Sequence, residues 1–529
     1  MSATPSIFHL SSPRWLIKLG VFLLFMPALA LFFLPIANIP AAAGYYGCEP
    51  ADIQYAVMIY YAGFAGFYPL EKRLFRFFAP KPYLLILCAI EIGSCFLCSF
   101  THCLPFLMAN RFVQGMCLAG VANLSLSMIF TRFPSGTARA IGFSIFFGAL
   151  LCIIPVNNVL TADLIDNFDF NFLFQVNGFC FVPGLVILFL LLRNDRFHRR
   201  IPLVMVDWQS FILYAGFIGL FCYVLIYGQE HYWLEDAGIR NAAMGSALLL
   251  ALFLLRQTGL KRPQLSPAAF RYPRLASGAL ILVVLYICRF GAGLTNTYFS
   301  TVLKFDPFHV SYINLVNIAG DLIGIFLAAV MLIRKTSFRL IALAGFTILL
   351  FYYAGMPQLL STQANADQYF LPLLLQGIGV GLLMAPTMYF IVTAVPPQFY
   401  DTSTAICALY RCVGFCLSIS LINFFELDQK GTHHNAFRDQ LSRTNPLLKT
   451  NIQRLAGNLA RNGMSKRETF PVANRLLAKR IDVQDQLLFT MDYYYGISAL
   501  LILTLLAIAL YPLVKRYFVG WKTKSICTT

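Results

Sequence analysis

Five charged side chains stand inside long apolar runs: Glu91, Arg111, Arg289, Asp321 and Arg411. A charge at the depth of a bilayer costs at least ~2.5 kcal/mol on insertion scales, so each is a candidate for function by default. On a buried carboxylate, desolvation and a nearby arginine act in opposite senses on proton affinity, which is the property a reversible proton site needs. Glu91 and Asp321 therefore read equally well as proton carriers and as members of structural ion pairs.

Other chemistries find no residues. Membrane haem and di-metal enzymes need histidines at helical spacing, but His9, His102, His198, His231, His309, His433 and His434 all fall in termini, loops or span ends. The adjacent His433 and His434 lack a helical partner at i+4 and read as solvated loop. Cys95 and Cys98 form a CxxC spacing within an apolar helix with no second pair, so they read as packing residues. Neither a phosphate-binding glycine loop nor a nucleophile elbow is present. The reading is a non-enzyme with no cofactor, no metal and no ATP-driven step.

The elements that must position these charges are set by composition. Of 529 residues 59% are hydrophobic and 12% charged, against roughly 25% charged in soluble domains, so this is a membrane protein. Segments such as Ala247–Leu255 and Leu500–Leu510 are almost wholly apolar, which excludes the alternation of a transmembrane barrel and leaves helices. Fourteen spans are expected, about 15–37, 53–70, 83–100, 104–131, 138–160, 171–192, 208–227, 239–255, 275–299, 309–333, 340–357, 369–395, 402–425 and 493–514. The net charge of +17 sits in short clusters between apolar runs with no nucleic-acid-binding motif, so nucleic acid is not a partner.

Those clusters set the orientation. One side holds Lys72, Arg73, Arg76 and Lys81, then Arg132 and Arg139, Arg193, Arg196, Arg199 and Arg200, Lys261, Arg262, Arg271 and Arg274, and Arg334, Lys335 and Arg339. The short loops opposite carry Glu49, Asp52, Asp163, Asp166, Asp169, Glu230, Glu235 and Asp236. By the positive-inside rule both termini are cytoplasmic, and the long loop Glu426–Met491 is outside despite its basic residues. Within it Pro446–Ala460 and Val472–Leu488 read as short amphipathic helices stopped at Asn462 and Gly463, forming either a cap or a surface for another protein.

Several ordered motifs are similar to those of the major facilitator superfamily, and within it the fourteen-span drug:proton antiporters of the EmrB type. Arg111-Phe-Val-Gln114-Gly115 resembles the span 4 motif, and Asp207-Trp208 the opening of span 7. Gln376-Gly377-Ile-Gly379-Val-Gly381, then Pro386, Pro396 and Arg411-Cys-Val-Gly414, resemble the later spans, as does the outer loop with Asn445-Pro446 and Gly463-Met464. There are departures. The span 2–3 loop, Lys72 to Lys81, lacks the family's glycines and aspartate. The span 5 motif keeps Pro155 but has Asn157-Asn158 where glycines would stand, and span 1 has no acidic residue.

The resemblance implies an all-α major facilitator fold: a six-span bundle over 1–200, two extra spans and a linker over 201–274, and a second six-span bundle over 275–529 carrying the loop 426–491. Its bundles would surround a cavity that opens alternately to each side. Arg111 and Arg289 would line that cavity, Asp321 and Arg411 would lie nearer the bundle interface, and Glu91 would be more peripheral. Asp321, with Glu91 as runner-up, is the proton-coupling candidate. Arg111, Gln114, Arg289, Gln376 and Arg411 are the candidates for substrate binding or coupling. The implied function is proton-coupled export of amphipathic or lipophilic compounds across a bacterial inner membrane, with a periplasmic adaptor and an outer-membrane channel as partners. The alternatives are an exporter of one acidic or lipid-like metabolite and a non-transporting sensor or assembly protein. Two arginines in the cavity would favour organic anions, unless Arg111 serves gating and Asp321 neutralises Arg289.

Overall fold

The computed structural model describes Phe8 and residues 13–130, 138–193, 207–440 and 446–526. His9, Arg132, Arg196, His198, Arg199, Arg200 and Asn445 lie outside these described residues. The described chain is helical: α1 (Arg14–Ala37), α2 (Ile39–Tyr46), α3 (Pro50–Phe77), α4 (Pro80–Ser99), α5 (Leu104–Phe130), α6 (Ala138–Asn167), α7 (Phe172–Leu191), α8 (Trp208–Tyr227), α9 (Ala237–Gly259), α10 (Pro273–Phe290), α11 (Ala292–Thr301), α12 (Pro307–Ile333), α13 (Phe338–Leu359), α14 (Phe370–Thr393), α15 (Tyr400–Gln440), α16 (Pro446–Arg461) and α17 (Lys466–Ile526).

Among the described residues, thirteen helical stretches are long and apolar enough to cross a membrane, with α10 and α11 forming one of them. The fourteenth expected span is α3. It falls short on hydropathy because Gln54, Tyr55, Tyr60, Tyr61, Tyr68 and Pro69 dilute even its most apolar stretch, yet its 28 residues would reach about 42 Å. It packs along α5 and α8. Against α5 the approach is so close that a Cβ on Gly63 or Gly115 would run into backbone of the facing helix.

Bilayer lipid offers no hydrophobic drive between helices, so contacts are made by small residues and by side-chain hydrogen bonds. Gly320 and Gly324 of α12 face Gly377 and Gly381 of α14, and a Cβ on any of the four would meet the other helix's backbone. Gly379 points instead at Leu349 and Gly345 of α13, so one glycine-rich segment packs on two sides. The missing span 5 glycines are replaced by polar ties: Asn157 of α6 donates to the Ala30 carbonyl of α1 at 2.9 Å, and Asn38 donates to Thr161 at 3.0 Å.

Helices α8 and α9 pack side by side, with α8 also against α3 and α15. Asp207 caps α8, accepting from the Ser210 backbone at 3.2 Å and from Arg256 of α9 at 2.9 Å. Burial opposes its ionisation, but the Ser210 hydroxyl and Arg256 hold its carboxyl below the usual range. Helix α9 packs mainly on α8 and leaves Leu248, Leu252 and Leu255 facing outward, the surface a lipid-facing helix presents.

The loop 426–491 differs from expectation. Its first part continues α15 without a break to Gln440, and its second part is the start of the 61-residue α17, which runs on through the last span. Only α16 is a separate short helix, ending where Gly463 takes φ +91. The polar sequence marked a loop, but once membrane helices are nucleated, extending them adds a hydrogen bond per residue.

Gly377→Ala should cost about 1–3 kcal/mol by forcing α12 and α14 apart. Gly355→Ala, where nothing lies within 4 Å of the added carbon, should cost nothing. Thermal unfolding of the two variants in detergent would separate them.

Candidate functional site

Arg111 is fully buried on α5, and its placement begins with a proline on another helix. Pro35 has no N–H, which deprives the Leu31 carbonyl of its partner within α1. Arg111 supplies the donor, at 2.8 Å to Leu31, 2.9 Å to the Phe32 carbonyl and 3.0 Å to Gln114 Oε1, with the Tyr60 ring 4.3 Å away. The predicted cavity arginine is therefore turned into its own group of helices. Gln114 serves it, also donating to Cys98 Sγ at 3.7 Å. Glu91 of α4 lies near enough to interact with Arg111 electrostatically, but both its buried oxygens lack a hydrogen-bond partner among the described residues.

Arg289 and Arg411 come together instead. Arg289 of α10 donates to the Leu150 carbonyl of α6 at 2.8 Å, and Arg411 of α15 donates to the Tyr286 hydroxyl at 2.7 Å. Neither forms a salt bridge with a described carboxylate; aromatic faces surround them. Phe33, Tyr286 and Phe290 lie 5.0–5.8 Å from the Arg289 guanidinium, and Tyr61, Phe64, Phe147 and Tyr286 lie 5.3–6.0 Å from that of Arg411. A guanidinium over an aromatic face is stabilised by the ring quadrupole without being neutralised. Phe415 of α15 stacks on Phe290 at 4.0 Å and reaches Phe32, Phe33 and Tyr61 at 6.1–6.3 Å. This aromatic contact joins α1 and α3 to α10 and α15.

Asp321 is buried on α12 and accepts no hydrogen bond among the described residues. Its electrostatic neighbours are Arg289 and, across the interface with α6, Cys152, but no ion pair with Arg289 forms within 4 Å. Gln376 is not near the arginine pair: it accepts from Asn317 and ties α14 to α12.

On the face of the basic clusters, α3 and α15 are joined by Lys72, which reaches Asp401 at 3.1 Å and also the Thr404 hydroxyl. Arg139 meets the Tyr400 hydroxyl at 3.3 Å, and Arg73 donates to the Arg262 carbonyl at 2.8 Å. The altered span 2–3 segment thus makes contacts of its own. Glu71 beside it was missed in the sequence because it borders a basic cluster. It is fully buried and accepts from Tyr83 and Asn123, each at 2.9 Å.

Toward the opposite face a cavity of about 820 Å³ opens between α3, α15 and α17. At its floor Asn423 donates to Gln54 at 2.8 Å. Its wall carries Glu49, Glu230, Glu426, Asp482 and Asp485 against Lys430 and His434, so the entrance is acidic although the chain is basic. Burial and then the Glu49 carboxylate push the Glu230 carboxyl above its usual value.

A sequence profile of the Major Facilitator Superfamily matches residues 20–419. The colistin resistance protein EmrB of Acinetobacter baumannii is 24% identical over 364 residues, 67% of this chain and 69% of the relative. The multidrug resistance protein Stp of Mycobacterium tuberculosis is 24% identical over 426 residues, 76% of this chain and 73% of the relative. A POT family transporter crystallised with a thioalcohol conjugated peptide superposes with a TM-score of 0.58 at 13% identity, over 90% of this chain and 97% of that one. That likeness concerns the fold; the EmrB resemblance read from the motifs agrees with the sequence relatives.

Replacing Arg111 with Lys keeps the charge but removes the fork that spans two carbonyls, and should cost about 1.5–3 kcal/mol in detergent-solubilised protein. Glu91→Gln, which breaks no hydrogen bond, should unfold at the wild-type temperature. Equal stability of Arg111→Lys and wild type would remove the carbonyl-bridging role.

Proposed function

Because the chain belongs to the major facilitator superfamily, we propose that it exports amphipathic or lipophilic compounds by alternating access, driven by protons moving the other way. The observation that carries this reading is the Arg289–Arg411 aromatic cluster. It lies between helices of the first and second bundles, closed toward the basic face by Lys72–Asp401 and separated by the Gln54–Asn423 pair from an 820 Å³ vestibule on the other. Rings suit an apolar body, and the resistance functions in the relatives' names support a drug-type substrate. We take 1–200, 201–274 and 275–529 as first bundle, inserted pair and second bundle.

Two guanidinium groups with no carboxylate partner favour one narrower reading, an apolar anion or acidic metabolite as the transported species. In either case Asp321 is assigned the proton. It faces the α6–α12 contact between bundles, has no hydrogen bond to give up, and neighbours Arg289, so a substrate charge beside Arg289 would alter the energy of its proton. Glu91 stands one layer away, beside Arg111.

The basic face is assigned to the cytoplasm and the vestibule to the outside of a bacterial inner membrane. The projecting ends of α15 and α17, with α16, are the surface offered to a periplasmic adaptor and, through it, an outer-membrane channel.

Purified protein in liposomes with an imposed pH gradient should show saturable flux of a lipophilic dye. Asp321→Asn should reduce gradient-driven flux at least tenfold while leaving dye binding within threefold. Intact flux in Asp321→Asn together with loss in Glu91→Gln would move the proton to Glu91, and no gradient-driven flux in wild type would end the transport reading. For orientation, an impermeant maleimide applied to intact cells whose outer membrane has been permeabilised, carrying a Cys48→Ser variant to remove the part-exposed thiol on the same face, should label the exposed Cys103, and a further Cys103→Ser should abolish that signal. Labelling only after the inner membrane is opened would invert the topology.

A further inference from the structure

The vestibule wall contains a set of side chains that neither gating nor the aromatic cluster uses. His434 on the outer part of α15 faces Asp482 and Asp485 on α17. One ligand atom from each of the three lies within 4.8 Å of the others. His434 Nδ1 stands 3.0 Å from Asp485 Oδ2. Two donors held tetrahedrally about 2.0–2.2 Å from zinc are themselves about 3.3 Å apart, so this pair is close to the spacing a shared metal would impose.

Asp485 provides the second observation. It is 1% exposed, it lines the vestibule, and its Oδ1 has no hydrogen-bond partner among the described residues. A buried carboxylate oxygen with unused lone pairs is costly to keep unless something cationic occupies the space beside it. Lys430 does not fill that role, being drawn to Glu426 at 3.3 Å and Gln486 Oε1 at 3.1 Å. The remaining charges on the wall, Glu49, Glu230 and Glu426, add negative potential. His433 is engaged separately, 2.7 Å from Asp492 Oδ2.

We propose that His434, Asp482 and Asp485 bind one divalent transition-metal cation of the zinc type at the outer mouth of the vestibule. The imidazole selects such ions over magnesium and calcium, which prefer all-oxygen sites, while the two carboxylates neutralise the charge and water completes the coordination. Because the ligands come from two helices far apart in sequence, the ion would clamp the α15 projection to that of α17 and fix the shape of the entrance. The sequence conceals this site, since the histidine's partners lie about fifty residues away on another helix.

The test is calorimetric titration of zinc into untagged, chelator-stripped, full-length protein in detergent. One zinc per chain is expected, with affinity lowered at least tenfold by His434→Ala and by Asp482→Asn. Both residues are exposed, so these variants should keep the wild-type gel-filtration profile, and they carry the test if Asp485→Asn does not fold. His433→Ala should bind as wild type, and magnesium at the same concentration should not compete. Absence of a saturable one-to-one site, zinc affinity unchanged in both variants, an equal loss in His433→Ala, or competition by magnesium would each overturn the proposal.

Discussion

A guanidinium group in hydrocarbon must be given acceptors, and in this protein those acceptors are not carboxylates. Arg111 takes two main-chain carbonyls and an amide, Arg289 a main-chain carbonyl, and Arg411 a tyrosine hydroxyl, with aromatic faces completing each environment. Much else depends on this. The Leu31 carbonyl is available because Pro35 interrupts α1, so the proline and Arg111 on another helix form one device. Because the arginines direct their hydrogen bonds to carbonyls, an amide and a hydroxyl rather than to acids, Glu91 and Asp321 are left near positive charge but outside any ion pair. Such a carboxylate can gain and lose a proton without breaking a hydrogen bond.

The same economy separates rigid contacts from breakable ones. Within the second bundle, α12 and α14 meet along four glycines with backbone in contact, a seam that tolerates no sliding without collision. Within the first, α1 is tied by Asn157 and Asn177 to α6 and α7 through carbonyl hydrogen bonds of 2.9 and 3.2 Å. Between the bundles, among the described residues, the polar links are few: Lys72–Asp401, Arg139–Tyr400, Gln54–Asn423 and Arg289 to Leu150. Asp401 is 58% exposed, and an ion pair so open to water contributes about 0–1 kcal/mol. Rigid bodies joined by weak, replaceable contacts are what rocking about a central site requires.

Much of this was legible in the sequence. Apolar length gave the spans, α3 among them, because the rule for crossing a bilayer is local. The five intramembrane charges were found for the same reason, and every one is buried. What the sequence could not give was partnership. Arg111 was expected in the cavity because its motif places it on span 4, but its destination depends on a proline in span 1. Arg411 is expected nearer the bundle interface, and there it shares an aromatic cluster with Arg289 that no spacing in the sequence announces. Glu71 looked like the edge of a basic loop, and its burial depends on Tyr83 and Asn123 from two other helices. His433 and His434 were assigned to a loop because the polar segment has no membrane signal, whereas α15 carries them outward on an unbroken helix. Each of these partnerships is a long-range contact that periodicity does not encode.

The central claim is that the two bundles exchange between arrangements that a transported compound biases. The most direct measurement is a spin-label distance between Gly44 in α2 and Gln363 between α13 and α14, both exposed, in lipid nanodiscs with and without a lipophilic compound. The account predicts two distance populations whose ratio shifts when the compound is added and shifts again when pH is changed. A single distribution, unaltered by either, would contradict it.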